Sequence, residues 1–232
     1  MGYTTVAPVV LHATKGQGNH MSRTVSVPTG RIEKWLDTYW IRHGRGPVTA
    51  STDDVTVAGT DGATARMRLL WPGVTLGDDP LSDLITAARS PRRLGLLAVR
   101  ADGHAVGLWD GTSITESKRR GHYVQSRTAA GGWSQQRFAR RRENQAKAAY
   151  EKAAGDVATL IEPVARTLDG LVAAGNPGAI KAVLADPRCR HTAALAAATP
   201  LPHLELRDTS REALADLAER LLSVVITIDG QD

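Results

Sequence analysis

The chain has 232 residues, a mass of 24.8 kDa, 42% hydrophobic and 23% charged residues, and a net charge of +5. These values exclude wholesale disorder and leave room for one substantial core with a small appended element, while a single cysteine, Cys189, excludes an internal disulfide and a cysteine-based zinc site. The basicity is local: between Lys118 and Lys147 nine basic side chains stand against one acidic, Glu143, a local net of +8, and the remaining chain carries −3.

Residues 1–20 show neither a helical nor a strand period, and His20-Met21 reads either as a cloning junction ahead of a native start at Met21 or as native extension. The apolar run 6–11 is too short for a membrane span and lacks the flanks of a signal peptide, so a cytoplasmic location is expected. Thr29 caps a helix whose apolar positions Ile32, Trp35, Leu36 and Tyr39 share a face, ending near Gly44 and Gly46. Strands at 55–58 and 65–70 flank an Asp61-Gly62 turn, and Asp79 with Pro80 opens a short helix to residue 88.

From Leu94 the period changes to that of strands: 94–100, 104–109, 113–118 and 122–127, separated by Asp102-Gly103 and Asp110-Gly111 turns, form an antiparallel meander. A loop at 128–133 leads into a helix over 134–153, and Asp156 caps another running to residue 173, ended by Gly175-Asn176-Pro177. A helix over 178–185, a short strand at 203–206, a helix over 209–221 and a final strand at 224–228 complete the order. The fold class this order predicts is α/β or α+β, a mixed sheet with helices on its faces.

The segment Gly131-Gly132-Trp133-Ser134-Gln135-Gln136-Arg137-Phe138-Ala139-Arg140-Arg141-Arg142 resembles, without gaps, the catalytic stretch GGQSxxRFxRxR of archaeal and eukaryotic class-1 translation release factors. Gly131, Gly132, Ser134, Arg137, Phe138, Arg140 and Arg142 match, and the chain's one phenylalanine lies inside the match. Trp133 stands where those factors place the catalytic glutamine. This is similar to the release-factor-like peptidyl-tRNA hydrolases of ribosome quality control, in which Gly-Ser-Gln replaces Gly-Gly-Gln; Gly132, Ser134 and Gln135 carry that pattern here, with Trp133 inserted. The resemblance is closest to an actinobacterial branch, runs from about Arg31, and is sharpest over 127–142. It implies an RNase H-like release-factor catalytic domain over 31–232, with N-terminal helix and hairpin elements at 31–90, a catalytic core at 91–232, and residues 1–30 as an extension partly of cloning origin.

The residues agree with that chemistry. Glycines let backbone amides approach an RNA 3′ end, and a glutamine amide does not titrate, so its role is to orient water or an oxyanion rather than to move a proton. Ester hydrolysis needs alignment and a few oriented donors, without a metal or a cofactor. The expected catalytic residues are therefore Gln135, Gly131, Gly132 and Ser134, with Gln136 the alternative amide. The expected RNA-binding residues are Lys118, Arg119, Arg120, Arg127, Trp133, Arg137, Arg140, Arg141 and Lys147. The bland reading makes Gly131 and Gly132 a connection, Ser134 an N-cap, and the arginines a solvated face. No histidine pair has ligand spacing, His104 and His122 read as strand residues without catalytic duty, and Lys15-Gly16-Gln17-Gly18 lacks the rest of a P-loop.

The function these expectations define is codon-independent release of nascent chains from stalled ribosomes or large subunits by a monomer, with peptidyl-tRNA as substrate and no membrane partner. The chain has no room for a decoding domain beside the catalytic one. Two rival readings stand beside it: an endonuclease cutting tRNA near its 3′ CCA end, and a ribosome- or tRNA-binding module without catalysis, for which Trp133 is the best argument.

Overall fold

In chain order the elements are β1 (Val10–Leu11), β2 (Met21–Val27), α1 (Ile32–His43), β3 (Val48–Ala50), β4 (Asp54–Ala58), β5 (Thr64–Leu69), α2 (Pro80–Arg89), β6 (Leu94–Val99), β7 (Gly103–Trp109) and β8 (Ile114–Gly121). There follow α3 (Trp133–Leu160), β9 (Gly170–Gly175), α4 (Pro177–Leu184), α5 (Arg190–Ala198), α6 (Arg211–Leu222) and β10 (Val224–Gly230). This computed structural model describes residues 10–11, 21–121 and 133–230, with the backbone alone at 10, 11, 21, 133–139 and 142. Among the described residues no helix is long and apolar enough to cross a membrane.

The chain divides into two units, Met1–Ser90 with Glu219–Asp232, and Pro91–Ala218. The first is built on a six-stranded antiparallel sheet of order β1-β2-β10-β5-β4-β3. Period-two alternation sets its buried face: on β5 Ala65 and Met67 are buried while Arg66 and Arg68 are exposed, and Val55 and Val57 repeat the pattern on β4. Ile32, Leu36 and Tyr39 on α1 and Leu84 and Ala88 on α2 complete this core. Asp79 accepts from the Ser82 amide and Pro80 occupies the first turn of α2, as the sequence predicts. Gly44 ends α1 at φ 72°, where a Cβ would lie 2.1 Å from Thr60 Oγ1.

Two expectations change in this unit. Residues 21–27, read as extension, form β2 and pair along their whole length with β10. The closing strand, read as part of the catalytic core, lies between β2 and β5 in the first unit's sheet. Both assignments depend on pairing between segments far apart in the chain, Val224 with Val27 and with Leu69, which local periodicity does not carry.

The second unit holds a four-stranded sheet of order β8-β7-β6-β9, in which β6–β7 and β7–β8 are antiparallel and β6–β9 parallel. Leu204 extends it through a single parallel bridge to Ala174 in place of the predicted strand at 203–206. A three-strand meander joined by one parallel strand, β9, gives the mixed sheet with helices on its faces that the sequence predicts. All six residues of β6 are buried, which an unbroken apolar strand requires when both faces are covered. On one face Leu97, Val99 and Val106 pack with Ala153, Ala154, Val157 and Leu160 of α3 and with Ile161 just beyond it. On the other, a Cβ at Gly107 would meet Leu214 of α6 at 3.2 Å.

The helix predicted from Asp156 to residue 173 is absent. The helix beginning at Trp133 runs unbroken through Asp156 to Leu160, a short 3-10 segment occupies Glu162–Thr167, and 170–175 form strand β9 at the end of the sheet, beside β6. Leu171, Val172 and Ala174 are buried there, so tertiary burial decides for strand where an alanine-rich composition had favoured helix. Gly175 ends β9 at φ 105°, and Asn176 caps α4 by accepting from the Ala179 amide.

Candidate nucleic-acid interface

The meander delivers the chain to the edge strand β8, and α3 takes it back across the sheet, so the motif segment is flanked by one strand end and one helix start. Arg127, Gly131 and Gly132 lie outside the described residues. Trp133, Ser134, Gln135, Gln136 and Arg137 form the first turns of α3, with Trp133, expected in the preceding loop, already helical; their side chains lie outside the description.

Further along α3, Arg140, Arg141, Asn144 and Lys147 are exposed. Arg140 and Lys147, seven residues apart, fall nearly on one line along the helix, about 10 Å apart in axial rise. None of the described side chains from 140 to 152 is buried; burial begins at Ala153. The helix therefore carries its cations on a largely solvated stretch and anchors itself by its last two turns.

The three cations of β8 do not act together. Lys118 and Arg120 alternate with Arg119, so they project to opposite faces of the sheet. Arg119 reaches Thr209 Oγ1 at 3.4 Å, on the face where Arg211 of α6 bonds Ser117 and the Ile114 carbonyl. Arg120 turns to α3: its Nε donates to Asp156 Oδ2 at 2.6 Å and its Nη2 to Oδ1 at 3.1 Å. Of the expected patch, Arg140, Arg141 and Lys147 are exposed on α3 and Lys118 is half-buried on the face of Arg120, while Arg119 and Arg120 are engaged within the unit.

Asp156 is the group sequence reading misplaced. It is 4% exposed in the last two turns of α3 and also accepts from His104 Nε2 at 2.9 Å, His104 being wholly buried on β7 directly opposite Arg120. Burial pushes the Asp156 carboxyl up, but bonds from Arg120 and His104 outweigh it and hold it below the usual carboxylate range. Burial pushes the His104 imidazole down against the pull of Asp156, so the neutral ring donates its Nε2 proton to the carboxylate. The signal was present in the sequence: Ala149, Ala153, Asp156 and Leu160 share one helical stripe, and an acid in an apolar stripe needs a buried partner.

A second carboxylate, Glu162, accepts from the His191 and Thr192 amides and from Thr192 Oγ1, satisfying the first turn of α5. His191 Nδ1 bonds it at 2.8 Å while Arg166 donates to Nε2, which fixes the ring as the Nδ1–H tautomer. Among the described residues no group of histidine, cysteine and acidic side chains is arranged to hold a metal ion. Cys189 is buried, its thiol pushed up to about 11 by burial and by Asp186 and Glu162.

A mixed α/β unit whose long helix begins inside a release-factor-type sequence motif belongs to the class of release-factor-type domains, as the family match shows. The chain belongs to the VLRF1 release factor family of Actinobacteria and Chloroflexi, whose family model matches residues 92–227, more than half of the chain. The match begins at Arg92, later than the point near Arg31 to which the sequence resemblance was extended. Among solved structures the chain is similar to an archaeal translation termination factor, aRF1, with 14% identity and a TM-score of 0.38 over 86% of this chain. It spans 64% of that factor's length. No curated protein matches it.

Proposed function

We propose that this protein is a codon-independent peptidyl-tRNA hydrolase that releases nascent chains from stalled ribosomes or large subunits in the cytoplasm. Membership of a release factor family is the observation that carries the reading. The substrate is the ester joining peptide to the tRNA 3′ adenosine. Gln135, in the first turn of α3, orients the attacking water or the developing oxyanion, with Gly131, Gly132 and Ser134 shaping the approach and Gln136 as the neighbouring amide. Arg140, Arg141 and Lys147, joined by Arg127, Arg137 and Lys118, hold the RNA backbone, and Trp133 supplies a stacking face.

The test is incubation of purified protein with stalled large subunits bearing labelled peptidyl-tRNA. Free peptide with intact tRNA is expected, and Gln135→Ala is expected to abolish it while ribosome binding persists. Liberated terminal CCA would instead identify a nuclease. Trp133 at the position of the catalytic glutamine favours a second reading, a non-catalytic ribosome-binding module; equal peptide yield from wild type and Gln135→Ala would support it.

A further inference from the structure

We infer that Asp156, through its pairing with Arg120 and His104, is a positioning residue that sets the direction of α3 and hence the place of the motif at its start. The inference deepens the release reading and rests on it for the reaction, though not for the geometry.

Three observations carry it. The described side chains of α3 are fully buried only from Ala153 onward, with Tyr150 partly buried against the same core, so the orientation of the preceding turns is decided by the segment 150–161. That segment meets the sheet with Ala153 and Ala154 beside Val157, Leu160 and Ile161, and small side chains leave rotation and sliding weakly opposed. Asp156 is the one buried carboxylate among the described residues, and it is gripped by both nitrogens of a guanidinium fork and by a fully buried imidazole. A buried ion pair adds little stability over an apolar replacement of similar volume, yet it accepts only one geometry. Any rotation or slip of α3 strands the carboxylate without its partners.

The leverage is large. Gln135 lies 21 residues ahead of Asp156, about 30 Å along the helix axis, so a 10° swing moves it about 5 Å. Catalysis by alignment tolerates about 1 Å, and a misplacement of that size costs up to about 100-fold in rate. The grip sits on the strand that enters the motif segment and the helix that leaves it, so both flanks are tied at one point.

The test uses the full chain as wild type, Asp156→Asn, Arg120→Lys and the apolar pair Arg120→Met with Asp156→Leu. Asp156 is too buried to touch RNA, so its variants separate positioning from lost RNA contacts. Single-turnover peptide release from stalled large subunits is measured beside affinity for those subunits and melting temperature. In the same backgrounds a spin-label pair at Gln145→Cys and Ala194→Cys, both exposed, reports the distance from α3 to α5. Native Cys189 is buried and does not compete for label. The Asp156→Asn and apolar-pair variants are expected to stay folded, bind within about two-fold of wild type, release about 10- to 100-fold more slowly, and show a shifted or broadened distance distribution. The conservative variants carry the test if the apolar pair does not fold. An unchanged distribution, or release at the wild-type rate, in folded Asp156 variants overturns the inference. If wild type itself releases no peptide, the release reading fails and the distances alone decide: broadening supports the positioning role and no change ends it.

Discussion

Arg120 and Asp156, 36 residues apart, meet fork to fork: Nε and Nη2 of the one donate to the two carboxylate oxygens of the other, at 2.6 and 3.1 Å. The Arg120 side chain remains 57% exposed while that of Asp156 is 6% exposed, so the pair runs from solvent into the core. His104 closes its inner end.

This cluster makes stability sensitive to acid. The folded His104 imidazole is held below its ordinary value, first by burial, so below about pH 6.5 the unfolded chain binds a proton that the folded chain refuses. Its contribution is complete above that pH and is lost as pH falls. Asp156, raised by burial but held low because the bonds from Arg120 and His104 outweigh it, adds a loss of the same sign below about pH 4. Urea midpoints should therefore decline from pH 7.5 to pH 5 in wild type and decline less in His104→Gln. Parallel profiles for the two would show that the imidazole is not responsible.

Arg140 and Arg141 are exposed on α3 and are expected to bind phosphates. Replacing both by alanine should flatten the plot of log affinity against log salt for single-stranded RNA by about 1.4 in slope, from about 0.7 per contact. Filter binding or anisotropy between 50 and 300 mM salt, on the order used for such titrations, measures it. An unaltered slope would leave these arginines a solvated face.

Arg119 projects away from Lys118 and Arg120 and reaches Thr209. Arg119→Ala is expected to change RNA affinity less than Arg140→Ala does under the same buffer. A loss equal to or larger than that of Arg140→Ala would place the RNA on the α6 face instead.

Glu162 satisfies two amides at the start of α5 together with the buried Thr192 hydroxyl. Glu162→Ala should destabilise the chain by about 2 kcal/mol, because the loss leaves buried donors unmet. Glu162→Gln, which keeps acceptor oxygen, should lose less. Equal urea midpoints for wild type and Glu162→Ala would show that water replaces the carboxylate without cost.

Much of the architecture was legible because its signals are local. Asp61-Gly62 and Asp110-Gly111 fall between strands where turn chemistry requires them, Asp110 bonding the Thr112 and Ser113 amides, and Asp79-Pro80 opens α2. Residues 170–175 misled because two alanines and a leucine suit either period, and the decision came from parallel pairing with β6, 76 positions earlier at Leu94–Gly170. The helix α5 went unread for a related reason: its first turn is capped by Glu162, from another part of the chain.

The candidate site divides in the same manner. By itself the sequence determined the family resemblance, the motif across 131–142 and the concentration of positive charge, since residue identity and short spacing suffice for each. Only tertiary structure decided that Arg119 and Arg120 project to opposite faces and that Asp156 is a buried anchor instead of a helix cap. Strand register and helix phase determine which side chains meet, and both are settled by packing between segments far apart in the chain.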